Sequence, residues 1–145
     1  MQYIVSCPEH IDTSIMLPAS KSISNRALII QALTKVGMMP ENLSDCDDTE
    51  VIIRGLSKQS DVIDIKAAGT AMRFMTAYLS ATDGEYTITG TERMKHRPIG
   101  ILVDALRYLG AEIEYVGEEG YPPLHIRGRQ LEGGSLQIPG NVSSQ

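Results

Sequence analysis

Helix starts recur in this chain at a spacing of about fifty residues, and no other feature narrows its fold as much. The first pair of corresponding starts is Ser20-Lys21 and Gly69-Thr70; the second is Asp48 and Arg97-Pro98. The two offsets are nearly equal, so the register holds across a whole unit of helix, short strand, helix and strand. Generic α/β alternation produces apparent periodicity cheaply, but here the starts of the helices correspond as well as the helices themselves. Repetition of this kind implies several units sharing one core. Residues 140–145 read as a third start, a glycine turn and two serines with no helix behind them, so the sequence is expected to be cut rather than finished.

Within that frame the local patterns place the elements. Gln2 to Ser6 and Asp12 to Leu17 alternate like short strands and end at prolines. Lys21 to Lys35 is predicted as a helix with Ile23, Ala27 and Ile30 on its apolar side and Leu28 beside them. Glu41 to Leu43 is a short connecting strand. Asp48 to Ser57 is a helix with a stripe of Val51, Ile52 and Leu56, and Val62 to Ile65 is a strand. The second unit gives a helix over Thr70–Ser80, faced by Ala71, Met72, Met75 and Leu79. A strand over Glu85–Thr89, a polar basic loop over Thr91–Arg97 and a helix from Pro98 to Leu109 follow. Strands are expected at Ala111–Val116, Leu124–Arg127 and Leu136–Ile138.

Composition limits what these elements can do. The chain has 145 residues, of which 42% are hydrophobic and only 5% aromatic, with no Trp and one Phe, so the core must be aliphatic. A formal net charge of −5 argues against a nucleic-acid partner, and any anion site must be a local basic cluster. No apolar run reaches membrane-spanning length and the first residues lack a secretory signal pattern, which leads to an expectation of a cytoplasmic protein. Cys7 and Cys46 have no metal-type spacing and read as reduced structural thiols.

The chemistry gathers at the helix starts. In Leu17–Arg26, LPASKSISNR, Ser20 is a good N-cap and the first turns carry Lys21, Ser22 and Arg26 but no acid. Cations there oppose the helix dipole, a poor arrangement for the helix and a good one for a bound anion. A solvated helix start with chance basic residues explains the stretch equally well. Gly69 at a helix mouth allows close approach to the backbone, although a structural glycine turn is the commoner explanation. Arg97, just before Pro98, can project toward an anion, whereas Lys95 and His96 read as solvated. His10 and His125 read as surface or strand residues. Ser143, Ser144 and Gln145 stand where the third unit's helix would begin. Asp45, Asp47 and Asp48 are accounted for by helix capping and receive no chemistry. If the helices pack in parallel, the starts converge on one face that would bind a small, multiply anionic substrate.

These motifs resemble one family. LPASKSISNRALI resembles the LPGSKSxSNRALL signature of 5-enolpyruvylshikimate-3-phosphate synthases, and AAGTAMRF resembles NAGTAMRP. RMKHRPIGILVDALRYLGAEIEY is similar to RMKxRPIxxLVDALRxLGA, and NVSSQ to SVSSQ, in the same order over nearly the whole chain. The related UDP-N-acetylglucosamine enolpyruvyl transferases lack SKSxSNR. The resemblance implies an α/β fold of repeated βαβαββ units with parallel helices, an inside-out α/β barrel of which this chain holds an incomplete first domain. Residues 1–18 would belong to the second domain, and residues 19–145 would form about two units and the start of a third.

It also implies a reaction. The 5-hydroxyl of shikimate 3-phosphate attacks C2 of phosphoenolpyruvate, and a tetrahedral intermediate loses phosphate, without metal or organic cofactor. Matching positions imply that Lys21, Gly69, Arg97 and Gln145 contact phosphoenolpyruvate. They imply that Lys21, Ser22, Arg26, Ser143, Ser144 and Gln145 contact shikimate 3-phosphate. The intact enzyme is expected to be a monomer with these small-molecule substrates as its partners. Ala67 departs from the usual Asn and Phe74 from the usual Pro. The family's acid–base Asp, Glu and Lys have no counterpart in these residues, so no catalytic residue is assigned and the 145-residue chain is expected to be inactive alone. The alternative is a non-catalytic anion-binding α/β module.

Overall fold

A computed structural model describes residues 3–34, 37–57 and 60–138. Its helices are α1 (Lys21–Thr34), α2 (Asp47–Leu56), α3 (Gly69–Ser80), α4 (Glu92–Lys95) and α5 (Gly100–Tyr108). Its strands are β1 (Val62–Asp64), β2 (Gly84–Thr89), β3 (Glu112–Tyr115) and β4 (Leu124–Gly128), arranged in one sheet in the order β1-β2-β4-β3. β1 and β2 pair in parallel, with α3 as the crossover between them, while β2–β4 and β3–β4 are antiparallel. From β1 to β4, with the one-turn α4 counted as part of the second connection, the chain runs as one βαβαββ succession. The expected unit is therefore present once in full, preceded by the α1–α2 pair.

The sheet has two unlike faces because strand side chains alternate. Ile63, Tyr86, Ile88, Ile113, Leu124 and Ile126 point into the core. There they meet α3, which buries Ala71, Met72, Met75 and Leu79, and the adjoining Val51 and Ile52 of α2 and Val103 of α5. The core is aliphatic, as the composition requires. The opposite face is charged: Arg127 reaches Glu112 at 2.7 Å, and His125 reaches Glu85 at 2.9 Å.

Several expectations fail for physical reasons. No strand forms among residues 3–17, at Glu41–Leu43 or at Leu136–Ile138. A strand exists only with a partner edge, and none of the four strands pairs with these segments. The apolar side expected for α1 does not face inward. Ile23 is 71% and Ile30 60% exposed, whereas Ser24, Asn25 and Leu28 are buried. Hydrogen bonds decide the orientation of α1: Ser44 N–H donates to Ser24 Oγ (2.9 Å), and Thr49 Oγ1 donates to Asn25 Oδ1 (2.8 Å). The basic loop after β2 contains the one-turn α4. The final helix starts at Gly100 rather than Pro98, because the Ile99 N–H is taken by the Gly120 carbonyl (2.9 Å).

Gly128 marks where the sheet is tightest. A Cβ there would run into the backbone carbonyls of Thr82 and Leu79, which have no rotamer by which to move aside. Gly128→Ala is expected to destabilise the protein by about 1–3 kcal/mol, read as a lower urea midpoint with an unchanged slope.

Candidate functional site

The first turn of α1 is organised by Ser20, whose Oγ accepts the Ile23 N–H at 3.4 Å and whose carbonyl accepts the Ser24 N–H at 2.9 Å. Lys21 therefore stands at the helix mouth, and its Nζ lies 3.5 Å from Asp48 Oδ2 at the start of α2. With the Lys21 side chain half exposed, this pair contributes little stability. Its consequence is positional, since it ties the mouths of α1 and α2 together. The capping account of the aspartates needs correction here. The N-cap of α2 is Cys46, without a side-chain cap bond, and Asp48 is an ion-pair partner of Lys21.

Cys46 itself is a free thiol. Burial pushes its pKa up, but hydrogen bonds with Ser44 and Thr49 outweigh that and leave it lowered.

Arg26 lies one turn into α1. Its Nη1 donates to the Ser22 carbonyl at 3.0 Å, and its guanidinium carbon sits 5.5 Å from the centroid of the Phe74 ring on α3. Arg26 and Phe74 are each the sixth residue of their helix. The contact joins the second turn of α1 to the second turn of α3. Ser22 is exposed in the first turn beside them.

At the mouth of α3, Gly69 is covered by Arg97. A Cβ on Gly69 would collide with the Arg97 guanidinium, whose Nη2 would be 3.0 Å away and Nη1 closer. A larger residue there would push the flexible end of the Arg97 side chain aside, so the glycine lets the guanidinium lie against the helix mouth. Arg97 and Arg93 line one cavity of about 380 Å³ with Ala67 and Met94. Among the described residues no carboxylate is paired with Arg26, Arg93 or Arg97.

Two features escape a reading of the sequence. Arg73, in the middle of the helical pattern of α3, turns back and donates from Nη2 to the Pro98 carbonyl at 3.1 Å. It holds the turn that carries Arg97, and its buried Nε has no hydrogen-bond partner among the described residues. Burial, and then the charge of Arg97, lower the pKa of its guanidinium. The other feature is the buried Thr49–Asn25 hydrogen bond that sets α1 against α2. Its two partners lie 24 residues apart in sequence.

Lys21, Ser22 and Arg26 thus stand in the first two turns of α1, Gly69 and Arg97 meet at the mouth of α3, and the Arg26–Phe74 contact links the two helices. Ser143, Ser144 and Gln145 lie outside the described residues. Among the described residues no three His, Cys, Asp or Glu side chains are grouped to hold a metal ion, and no helix is long and apolar enough to cross a membrane. Thr49→Val removes the donor to a buried amide whose Nδ2 already lacks a partner. It is expected to cost about 1–3 kcal/mol, measured by chemical denaturation.

Comparison with known proteins gives three findings. A family model described as EPSP synthase (3-phosphoshikimate 1-carboxyvinyltransferase) matches residues 53–145. The chain is 65% identical, over all of its length and 35% of the relative's, to a 3-phosphoshikimate 1-carboxyvinyltransferase of Bacteroides fragilis. It is 42% identical, over 93% of its length and 38% of the relative's, to one of Photobacterium damsela subsp. piscicida. It also superposes on an EPSP synthase structure from Acinetobacter baumannii with a TM-score of 0.73 and 22% identity. That match covers 86% of this chain and 34% of the other, and it is a likeness of fold. The chain thus spans about a third of the length of the curated relatives it matches.

Proposed function

From the premise that the chain belongs to the EPSP synthase family, we propose that it is the N-terminal part of a 3-phosphoshikimate 1-carboxyvinyltransferase. The intact enzyme transfers the enolpyruvyl group of phosphoenolpyruvate to the 5-hydroxyl of shikimate 3-phosphate and releases phosphate. It works in the cytoplasm as a monomer without a cofactor. What supports this reading is Lys21 and Arg26 in the first two turns of α1, Arg97 over Gly69 at the mouth of α3, and the Arg26–Phe74 contact between the two helices, with Asp48 the one carboxylate paired with these cations among the described residues.

The division of labour follows from the chemistry of each group. Arg97, the backbone at Gly69 and Lys21 hold phosphoenolpyruvate, with Gln145 completing that site. Arg offers a planar fork and the helix mouth free N–H groups, both suited to phosphate and carboxylate oxygens. Ser22 and Arg26 hold shikimate 3-phosphate together with Lys21, Ser143, Ser144 and Gln145. Lys21, a mobile point charge, offsets the mutual repulsion of the two anionic substrates. Asp48 keeps its ammonium at the mouth of α1 until the substrates arrive. Holding both reactants in one orientation supplies much of the rate enhancement. The general acid and base for protonating the methylene carbon come from other parts of the enzyme.

The test uses the full-length protein with shikimate 3-phosphate and phosphoenolpyruvate, following phosphate release. Turnover is expected, and Lys21→Met is expected to lower kcat/KM at least about a hundredfold with the melting temperature preserved. The 145-residue chain alone is expected to release no phosphate. A full-length protein without turnover would contradict the assignment.

A further inference from the structure

Phe74 is the one phenylalanine of the chain, and it stands where the family signature has proline. It sits on α3, whose buried face is made by Ala71, Met72, Met75 and Leu79, yet it belongs neither to the buried core nor to the side chains packed against it. A partly buried aromatic ring outside that cluster needs another reason for its place. Its contact is with Arg26, whose guanidinium carbon lies 5.5 Å from the ring centroid, within the range of a cation–π attraction.

The contact reaches between helices that otherwise meet lightly. Arg26 is on α1 and Phe74 on α3, and the same guanidinium donates from Nη1 to the Ser22 carbonyl. A flexible arginine at a helix mouth samples many rotamers, and binding an anion must freeze them at an entropic cost. A ring against the guanidinium and a carbonyl on one N–H restrict that freedom in advance. A guanidinium held over a ring face spends none of its N–H donors on that contact, which leaves them available for a phosphate. The attraction also strengthens as water leaves the site.

We propose that Phe74 is a positioning residue for the shikimate 3-phosphate subsite, seating the Arg26 guanidinium across the α1–α3 junction before the phosphate binds. The proposal rests on the functional reading above and adds to it a residue that does not touch substrate. It also gives α3 a part in both subsites: Gly69 and Arg73 serve the Arg97 end, and Phe74 serves the Arg26 end.

The experiment compares wild-type full-length protein with Phe74→Leu, Phe74→Met and Phe74→Tyr in steady-state assays varying each substrate separately, with melting temperatures measured in parallel. Leu and Met keep apolar bulk and lose the ring face; Tyr keeps the face. The expected result is a KM for shikimate 3-phosphate raised about fivefold in the Leu and Met variants. The KM for phosphoenolpyruvate and the melting temperature should stay near wild type, and the Tyr variant should recover the wild-type value. An unchanged KM for shikimate 3-phosphate in both variants overturns the proposal. So does a rise in both KM values that tracks a falling melting temperature, or a failure of Tyr to restore binding. Wild-type protein without turnover would overturn the underlying functional reading, and this proposal with it, which separates the two kinds of failure.

Discussion

Burial of the apolar stripe of α3 is the interaction on which the rest of this structure depends. Ala71, Met72, Met75 and Leu79 are packed between the inner face of the sheet and the neighbouring helices, and a stripe of this width on one helix leaves it little rotational freedom. Fixing α3 fixes everything it carries. Gly69 is held at the mouth, Arg73 reaches the Pro98 carbonyl, and Phe74 meets Arg26. The parallel pairing of β1 and β2 across the α3 crossover sets the direction of the helix and therefore which end presents its free N–H groups.

The polar contacts of α1 work against the usual preference. This helix buries Ser24 and Asn25 and leaves Ile23 and Ile30 outside. Desolvating those polar groups is tolerable only because Ser44 and Thr49 bond to them. The outcome is that the starts of α1 and α2 are locked side by side, with Lys21 opposite Asp48. The first turns of α1 and α3 carry no acid, so their helix dipoles add to the cations there, Lys21 in α1 and Arg97 over Gly69.

How much of this could be read in advance follows from the range of each interaction. Apolar periodicity is local, so α1, α2, α3 and α5 and the four paired strands were legible within a residue or two at most ends. The inward residues of α3 were legible for the same reason. The cations in the first turns of α1, Lys21 and Arg26, were legible because helix-start chemistry is also local. Strands at residues 3–17 and Glu41–Leu43 were not excluded, since alternation cannot report a missing partner. The orientation of α1 was misread because hydrogen bonds from residues about twenty positions away decide it. Asp48 and Arg73 matched the ordinary patterns of their own helices, and their partners are distant in sequence. Phe74 was visible as a departure from a signature, but only the tertiary structure places it against Arg26.

The central claim is that the starts of α1 and α3 form two adjoining anion subsites. The most direct measurement is a crystal structure of the full-length protein with shikimate 3-phosphate and phosphoenolpyruvate or an unreactive analogue. The account predicts the phosphate of shikimate 3-phosphate within hydrogen-bond distance of Ser22 and Arg26, with the Arg26 guanidinium still stacked on Phe74. It predicts the second anion at the Gly69 N–H and Arg97. Ligands bound away from these helix mouths, or Arg26 turned off the ring to reach them, would contradict it.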